Sequence, residues 1–276
     1  MTIENWRDQP HDIPDQMPER HMGQVQHDAD KSDVIRLFGL RLSDVSLREA
    51  AETTINRARS GSKLQIFFVN AHCINIAAHN KQYNHILKNN ELLYADGVGM
   101  AIAARICGQH LTNNVNGTDL FPLLCEHAAR HKVPIALLGS KPGIADACAA
   151  QMKAAYPGLQ ITFAHHGYSS RDDDPDIIRS INNCGAGILL VAKGVPAQEM
   201  WIAENREAIN TPVILGVGAL FDFYSGTVKR APPLVRQLRL EWLFRLLIEP
   251  RRMFTRYVIG NPVFILRAIF WRLTRR

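Results

Sequence analysis

The chain has 276 residues, 46% hydrophobic and 21% charged, enough for one large α/β domain with appendages or for two small domains. Its five cysteines are odd in number, widely spaced and free of any CxxC pair, which argues against a disulfide framework or a zinc site and for a reducing compartment. Eleven arginines and two acids give residues 230–276 a charge of +9, so the remainder of a chain with net charge +6 carries −3.

An acidic-to-neutral body with a basic, apolar tail suits a globular protein that meets something anionic and greasy. Residues 1–33 hold eight acids, three basic groups and almost no aliphatic side chains. They are expected to be a disordered leader, because so little apolar burial cannot offset the entropy of ordering. Their polarity is unlike a signal peptide, and His11, His21 and His27 read as part of a solvated tail rather than a metal site.

A strand is predicted from Val34 through VIRLFGLRL. Ser46 and Glu49 have the spacing of a capping box, so a helix should run to about Ser60, where Gly61-Ser62 ends it. Leu64–Val69 is an apolar strand that turns at Asn70-Ala71-His72, and helical segments follow through Lys88. Leu92–Tyr94 is a short strand ending in Ala95-Asp96-Gly97, before a helix over 98–107. Thr118 or Asp119 should cap a helix to about His131. Strands at Pro134–Leu138, Leu159–Ala164, Gly187–Val191 and Pro212–Val217 then alternate with helices over 144–156, 174–183 and 197–209. Apolar runs without polar alternation are strands buried on both faces. The cadence predicts an α/β domain over 34–229, a mainly parallel, Rossmann-like sheet flanked by helices.

From Pro232 the character changes. Leu234, Leu238, Trp242, Leu243, Leu246 and Leu247 recur at helical spacing with Arg236, Arg239 and Arg245 between them, an amphipathic helix with a basic face that Pro250 should stop. A second helix is expected after Gly260-Asn261-Pro262, where Trp271 and Arg272 sit together as at a membrane–water boundary. The best apolar run, Val263–Trp271, spans nine residues and is broken by Arg267, short of the ~20 needed to cross a bilayer. Residues 230–276 are therefore expected to be a basic amphipathic appendage that lies on a membrane; a helical lid docked by its leucines is the alternative.

In open parallel sheets, ligands bind beyond the carboxyl ends of the strands. Five strand-end turns carry suitable groups: Asn70-Ala71-His72, Ala95-Asp96-Gly97, Gly139-Ser140-Lys141-Pro142-Gly143, Gly194 to Gln198, and Gly216-Val217-Gly218. Asp96 either caps a helix or serves a site. The turn at 139–143 opens a helix and could bind phosphate, although it lacks the Walker A spacing. Gly216-Val217-Gly218 begins like a dinucleotide fingerprint but has Phe221 where the third glycine belongs.

The blocks YADGVGM, GSKPG, KGVPAQEMW, the run RAP at 230–232 and LEWLFRLLIEPRR at 240–252 together resemble the WecG/TagA/CpsF family of bacterial glycosyltransferases (family 26 type). The resemblance runs from about Asn70 to Tyr257 and implies a GT-E type fold. It also implies transfer of N-acetylmannosamine, its uronic acid or glucose from a UDP-sugar to an undecaprenyl-diphosphate-linked saccharide, with inversion to a β-linkage. In that reading Asp96 is the general base and Gln198 a second catalytic residue. The resemblance assigns substrate or nucleotide contacts to Asn70, Asn116, Thr118, Asp119, Gly139, Lys141, Pro142, Tyr168, Gly216, Gly218 and Arg230. Thr118 and Asp119 are equally well read as helix caps, and Tyr168 as core. Arg245, Arg252 and Arg256 match the arginines that would stabilise the departing diphosphate, with no metal ion or other cofactor needed. Tyr94 stands for the commoner Asn, a change expected to matter little, and Ser169 for Phe; Ala197 stands for Lys, which puts one possible phosphate contact in doubt.

The partners implied are a UDP-sugar, a polyprenyl-diphosphate acceptor and anionic lipid at the cytoplasmic face of the inner membrane, with a homo-oligomer left open. Nucleic acid suits the tail less well, since its charge lies among Leu, Phe and Trp. Two rivals remain from sequence: a nucleotide- or lipid-binding module without chemistry, and a nicotinamide-dependent oxidoreductase.

Overall fold

The computed structural model describes residues 34–168, 170–232, 234–235, 238 and 240–274. The leader expected at 1–33, Ser169, and the basic-face residues Arg236 and Arg239 lie outside the described residues. From Val34 onward the chain forms one compact unit.

It begins with β1 (Val34–Leu37) and β2 (Leu40–Ser43), which pair antiparallel. One continuous strand was the expectation here. Instead Phe38 and Gly39 both take positive φ, 55° and 78°, and fold the segment into a hairpin with a two-residue turn. Helix α1 (Leu47–Ser60) has the predicted capping box: the Ser46 hydroxyl accepts from the Glu49 N–H, and Glu49 accepts from the Ser46 N–H. Then come β3 (Leu64–Val69), α2 (Ala71–Ala77), α3 (Lys81–Asn89), β4 (Leu92–Ala95) and α4 (Val98–Ile106). Helix α5 (Gly117–His131) is capped by Asn116, not by Thr118 or Asp119; the Asn116 side chain accepts from the Asp119 N–H. The next elements are β5 (Ile135–Gly139), α6 (Ile144–Ala155), β6 (Ile161–His165), α7 (Asp174–Asn183), β7 (Ile188–Ala192), α8 (Ala197–Asn205), β8 (Val213–Gly216) and α9 (Leu220–Tyr224).

The eight described strands form one sheet in the order β1-β2-β4-β3-β8-β7-β5-β6, parallel except for β1. Strands β5, β7 and β8 are buried along their whole length, as their unbroken apolar runs require. Strands β4 and β5 follow each other in the chain yet lie on opposite sides of the β3–β8 pair. This topology opens a crevice at the carboxyl ends of the central strands.

The tail is more continuous than its Pro and Gly suggest. After α10 (Glu241–Ile248), Pro250 opens α11 (Pro250–Phe254), a π-helical turn spans Thr255–Ile259, and α12 (Gly260–Thr274) follows directly. The break expected at Gly260-Asn261-Pro262 does not occur. The π-turn shifts the hydrogen-bond frame just ahead of Pro262, so its missing N–H falls where the ladder is already out of register. Helix α12 packs on α2 and α4, and its Phe264, 1% exposed, and Ala268 enter the same core cluster as β3 and β4. Phe38 in the hairpin turn meets both Phe264 and Trp271, at ring-centroid distances of 5.6 and 5.8 Å.

Candidate active site

A cleft of about 1970 Å³ lies at the carboxyl ends of the central strands and is walled on one side by α10, α11 and α12. Strand register sets its centre. Val69 pairs with Ala95 across β3 and β4, so the next residues, Asn70 and Asp96, leave the sheet side by side. The Asp96 N–H extends the ladder to the Val69 carbonyl at 2.9 Å. Asp96 does not cap α4: the N-cap is Gly97, at φ 90°, whose own N–H donates to the Asn114 side chain.

The carboxylate meets Asn70 instead, whose Nδ2 donates to Asp96 Oδ2 at 3.1 Å. That amide is held one way round. Asn70 is the N-cap of α2, and its Oδ1 accepts from the backbone of His72 (3.1 Å) and Cys73 (3.2 Å) and from the Cys73 thiol. Only the amide nitrogen remains to face Asp96. Burial lifts the Asp96 carboxyl above the ordinary carboxylate range; the Asn70 hydrogen bond, Arg256 and Arg245 pull against that rise, and Asp119 adds to it. Burial, with Arg256 adding to it, brings the neighbouring His72 down to about 4, so its imidazole is neutral at physiological pH.

Cations line the opposite wall. Arg245, Arg252 and Arg256 all face the cleft. Arg245 lies over the Phe223 ring, 4.9 Å from its centroid, and Arg252 reaches Glu249 at 3.1 Å. Arg256 lies 5.4 Å from the Tyr257 ring centroid, and its buried Nε has no hydrogen-bond partner. Arg230 also lines the cleft but is paired with acids there. It donates to Asp119, approaches Glu241 at 3.7 Å, and so ties the start of the tail to the first turn of α5. Asn116 Nδ2 donates to the second Asp119 oxygen at 2.7 Å, and Tyr224 donates to the Thr118 carbonyl at 2.7 Å.

Gln198 and the β8 turn close the far side. Gln198 is 2% exposed; its Oε1 accepts from the Gly218 N–H at 2.8 Å and its Nε2 donates to Glu199 Oε1 at 2.9 Å. A Cβ on Gly216 would come within 3.0 Å of Gln198 Nε2, so glycine lets this amide lie against the turn.

Of the residues picked from sequence, Asn70, Asp96, Asn116, Thr118, Asp119, Gln198, Gly216, Gly218, Arg230, Arg245, Arg252 and Arg256 all line this cleft. Gly139, Lys141, Pro142 and Tyr168 do not. They belong to the ends of β5 and β6, where Gly139, at φ 145°, presses on Ala192 and the Ser140 hydroxyl bonds Asp222. Tyr168 is 69% exposed, so it is not the core aromatic its alternative reading required. Sequence reasoning passed over Glu199 and Glu241, and it named His72 only as part of a strand-end turn. Each was visible as a polar residue in or beside a quoted block, but only the fold shows that His72 and Glu241 line the cleft and that Glu199 is buried behind it. Among the described residues, no group of three or more His, Cys, Asp or Glu is placed to hold a metal ion.

A carboxylate poised to take a proton and a bank of guanidinium groups facing it can together move a group from an anionic carrier. The family model of the WecG/TagA/CpsF glycosyl transferases matches residues 35–276. The chain belongs to that family. The match takes in the opening hairpin and the whole helical tail. Membership makes the protein a glycosyl transferase, with a nucleotide sugar as donor and a glycan as acceptor. For this WecG/TagA/CpsF member the described helices include none long and apolar enough to cross a membrane.

Proposed function

We propose that the protein is an inverting, UDP-sugar-dependent hexosyltransferase that extends a polyprenyl-diphosphate-linked saccharide. One observation carries the reading: the Asp96 carboxylate and the three tail arginines line one cleft. An acceptor hydroxyl oxygen attacks the anomeric carbon, its proton passes to Asp96, and the bond to the diphosphate breaks on the opposite face. An α-linked donor thus gives a β-linked product. Arg245, Arg252 and Arg256 take up the charge on the leaving UDP through charge-assisted hydrogen bonds, without recourse to a metal ion.

The tail also supports a peripheral place at the inner face of the cytoplasmic membrane. Leu247, Phe254, Leu266, Phe270 and Leu273 are exposed along α10, α11 and α12, beside the arginines. The deciding experiment is a panel of UDP-sugars offered with a synthetic prenyl-diphosphate saccharide, run with and without a chelator. The expected result is transfer from one donor, unaffected by chelation, to give a β-linked product. UDP binding without transfer from any donor would refute the catalytic reading. Failure to associate with anionic liposomes would refute the peripheral one.

A further inference from the structure

Behind the cleft, a string of buried polar side chains joins its two sides. Asn70, which bonds Asp96, also accepts from the Cys73 thiol at 3.3 Å. The hydroxyl of Tyr83, on α3, lies close to that thiol, and Glu199, on α8, lies near both. Glu199 then accepts from Gln198, which accepts from Gly218. Two atoms of the string are buried without a hydrogen bond, Tyr83 Oη and Glu199 Oε2. Glu199 itself is fully buried and is not among the residues that line the cleft.

We propose that Glu199 is a positioning residue that locks the orientation of the Gln198 amide against the cleft. An ionised carboxylate only accepts hydrogen bonds, so it admits Gln198 Nε2 and rejects Oε1. With the nitrogen committed there, Oε1 must take the Gly218 N–H. A flipped amide would set oxygen against oxygen at Glu199 and N–H against N–H at Gly218. The carboxylate and the Gly218 N–H therefore together decide which end of Gln198 each wall of the cleft meets, and Glu199 steadies the β8 turn through the same side chain. A protonated Glu199 gives up its half of that hold, because its hydroxyl can donate to a flipped Oε1, and the amide is then held by the Gly218 N–H alone.

Burial brings the Glu199 carboxyl up to about 7, against the Gln198 hydrogen bond, so the lock is loosened close to neutral pH. The other titratable groups facing it stay out of that range. Burial pushes Cys73, on α2, up to about 12 and Tyr83, on α3, well above its usual range. His72 is already neutral there.

The test is nuclear magnetic resonance on the full chain, labelled at glutamine side chains and glycine amides. The Gln198 side-chain amide and the Gly218 N–H are expected to titrate together with a midpoint about 7. In Glu199→Gln that titration should vanish, and exchange of the Gly218 amide should become about three- to tenfold faster, the worth of one hydrogen bond. Absence of the shared titration in the unaltered protein overturns the proposal even if the variant does not fold. So does a Glu199→Gln protein that keeps the wild-type exchange rate and pH response. These readouts need no donor sugar, so a blank result in the UDP-sugar panel would leave them decisive.

Discussion

Replacing Asp96 by Asn should trade activity for stability. Asn70 Oδ1 is already spent on two backbone N–H groups and a thiol, so its Nδ2 must go on facing position 96. The new side chain has to turn its own oxygen toward that nitrogen, which puts an NH2 where the second carboxylate oxygen stood. The acceptor hydroxyl then meets a donor in place of a base. Loss of a general base costs about 10²–10⁴ in rate, roughly 2.7–5.4 kcal/mol of barrier. Stability should move the opposite way. Burial raises the Asp96 pKa in the fold, so the charged form is disfavoured there relative to the unfolded chain. Below the unfolded carboxylate value both states hold the proton and nothing is lost. As pH rises past that value, the wild type carries a growing penalty that a neutral Asn does not. Single-turnover transfer with the donor identified by the panel, and thermal melts at neutral and acid pH, read both effects. The variant should be nearly inactive yet melt higher at pH 7, the advantage fading below about pH 4. Activity within a few-fold of wild type, or a lower melting temperature at neutral pH, would refute the reasoning.

Arg252→Ala and Arg256→Ala should each cost roughly 2–4 kcal/mol in the transition state, seen as lower kcat/KM with the melting temperature little changed. Gly216→Ala sets a Cβ 3.0 Å from Gln198 Nε2. The displaced amide should lower transfer, and a crystal structure of the variant should find Gln198 moved off Gly218. Phe264→Ala should destabilise the whole unit by about 3–5 kcal/mol in denaturant unfolding, since the ring fills core shared by α12, α2 and β4. A loss under 1 kcal/mol would mean the tail is not built into the core.

The parallel core was legible because its strands are apolar throughout and its turns fall at regular intervals; Leu64–Val69 and the helix over 174–183 match the reading residue for residue. The capping box at Ser46 was equally plain. Three features were not. A Phe in the first position of a tight turn gives no warning of a hairpin, because β-branched and aromatic residues signal strand. In Asn116-Gly117-Thr118-Asp119, three residues are good caps by type, and spacing alone does not choose among them. Pro262 reads as a stop unless the π-turn before it is known.

For the site, Asp96 and Asn70 were found by their places at strand ends, but their contact depends on the Val69–Ala95 register. Glu199 escaped notice because nothing in a local run of sequence distinguishes an exposed acid from one turned into the core. Its position three residues before the buried Ile202 was the one available signal.

The arginine bank hangs between two fixed points. Upstream, Arg230 is moored to Asp119; downstream, Phe264 and Ala268 are sunk in the interior. On the function proposed above, Arg245, Arg252 and Arg256 would therefore meet a departing diphosphate from a segment secured on either side of them. If that reading holds, slackening either mooring should weaken the contribution of all three guanidinium groups together.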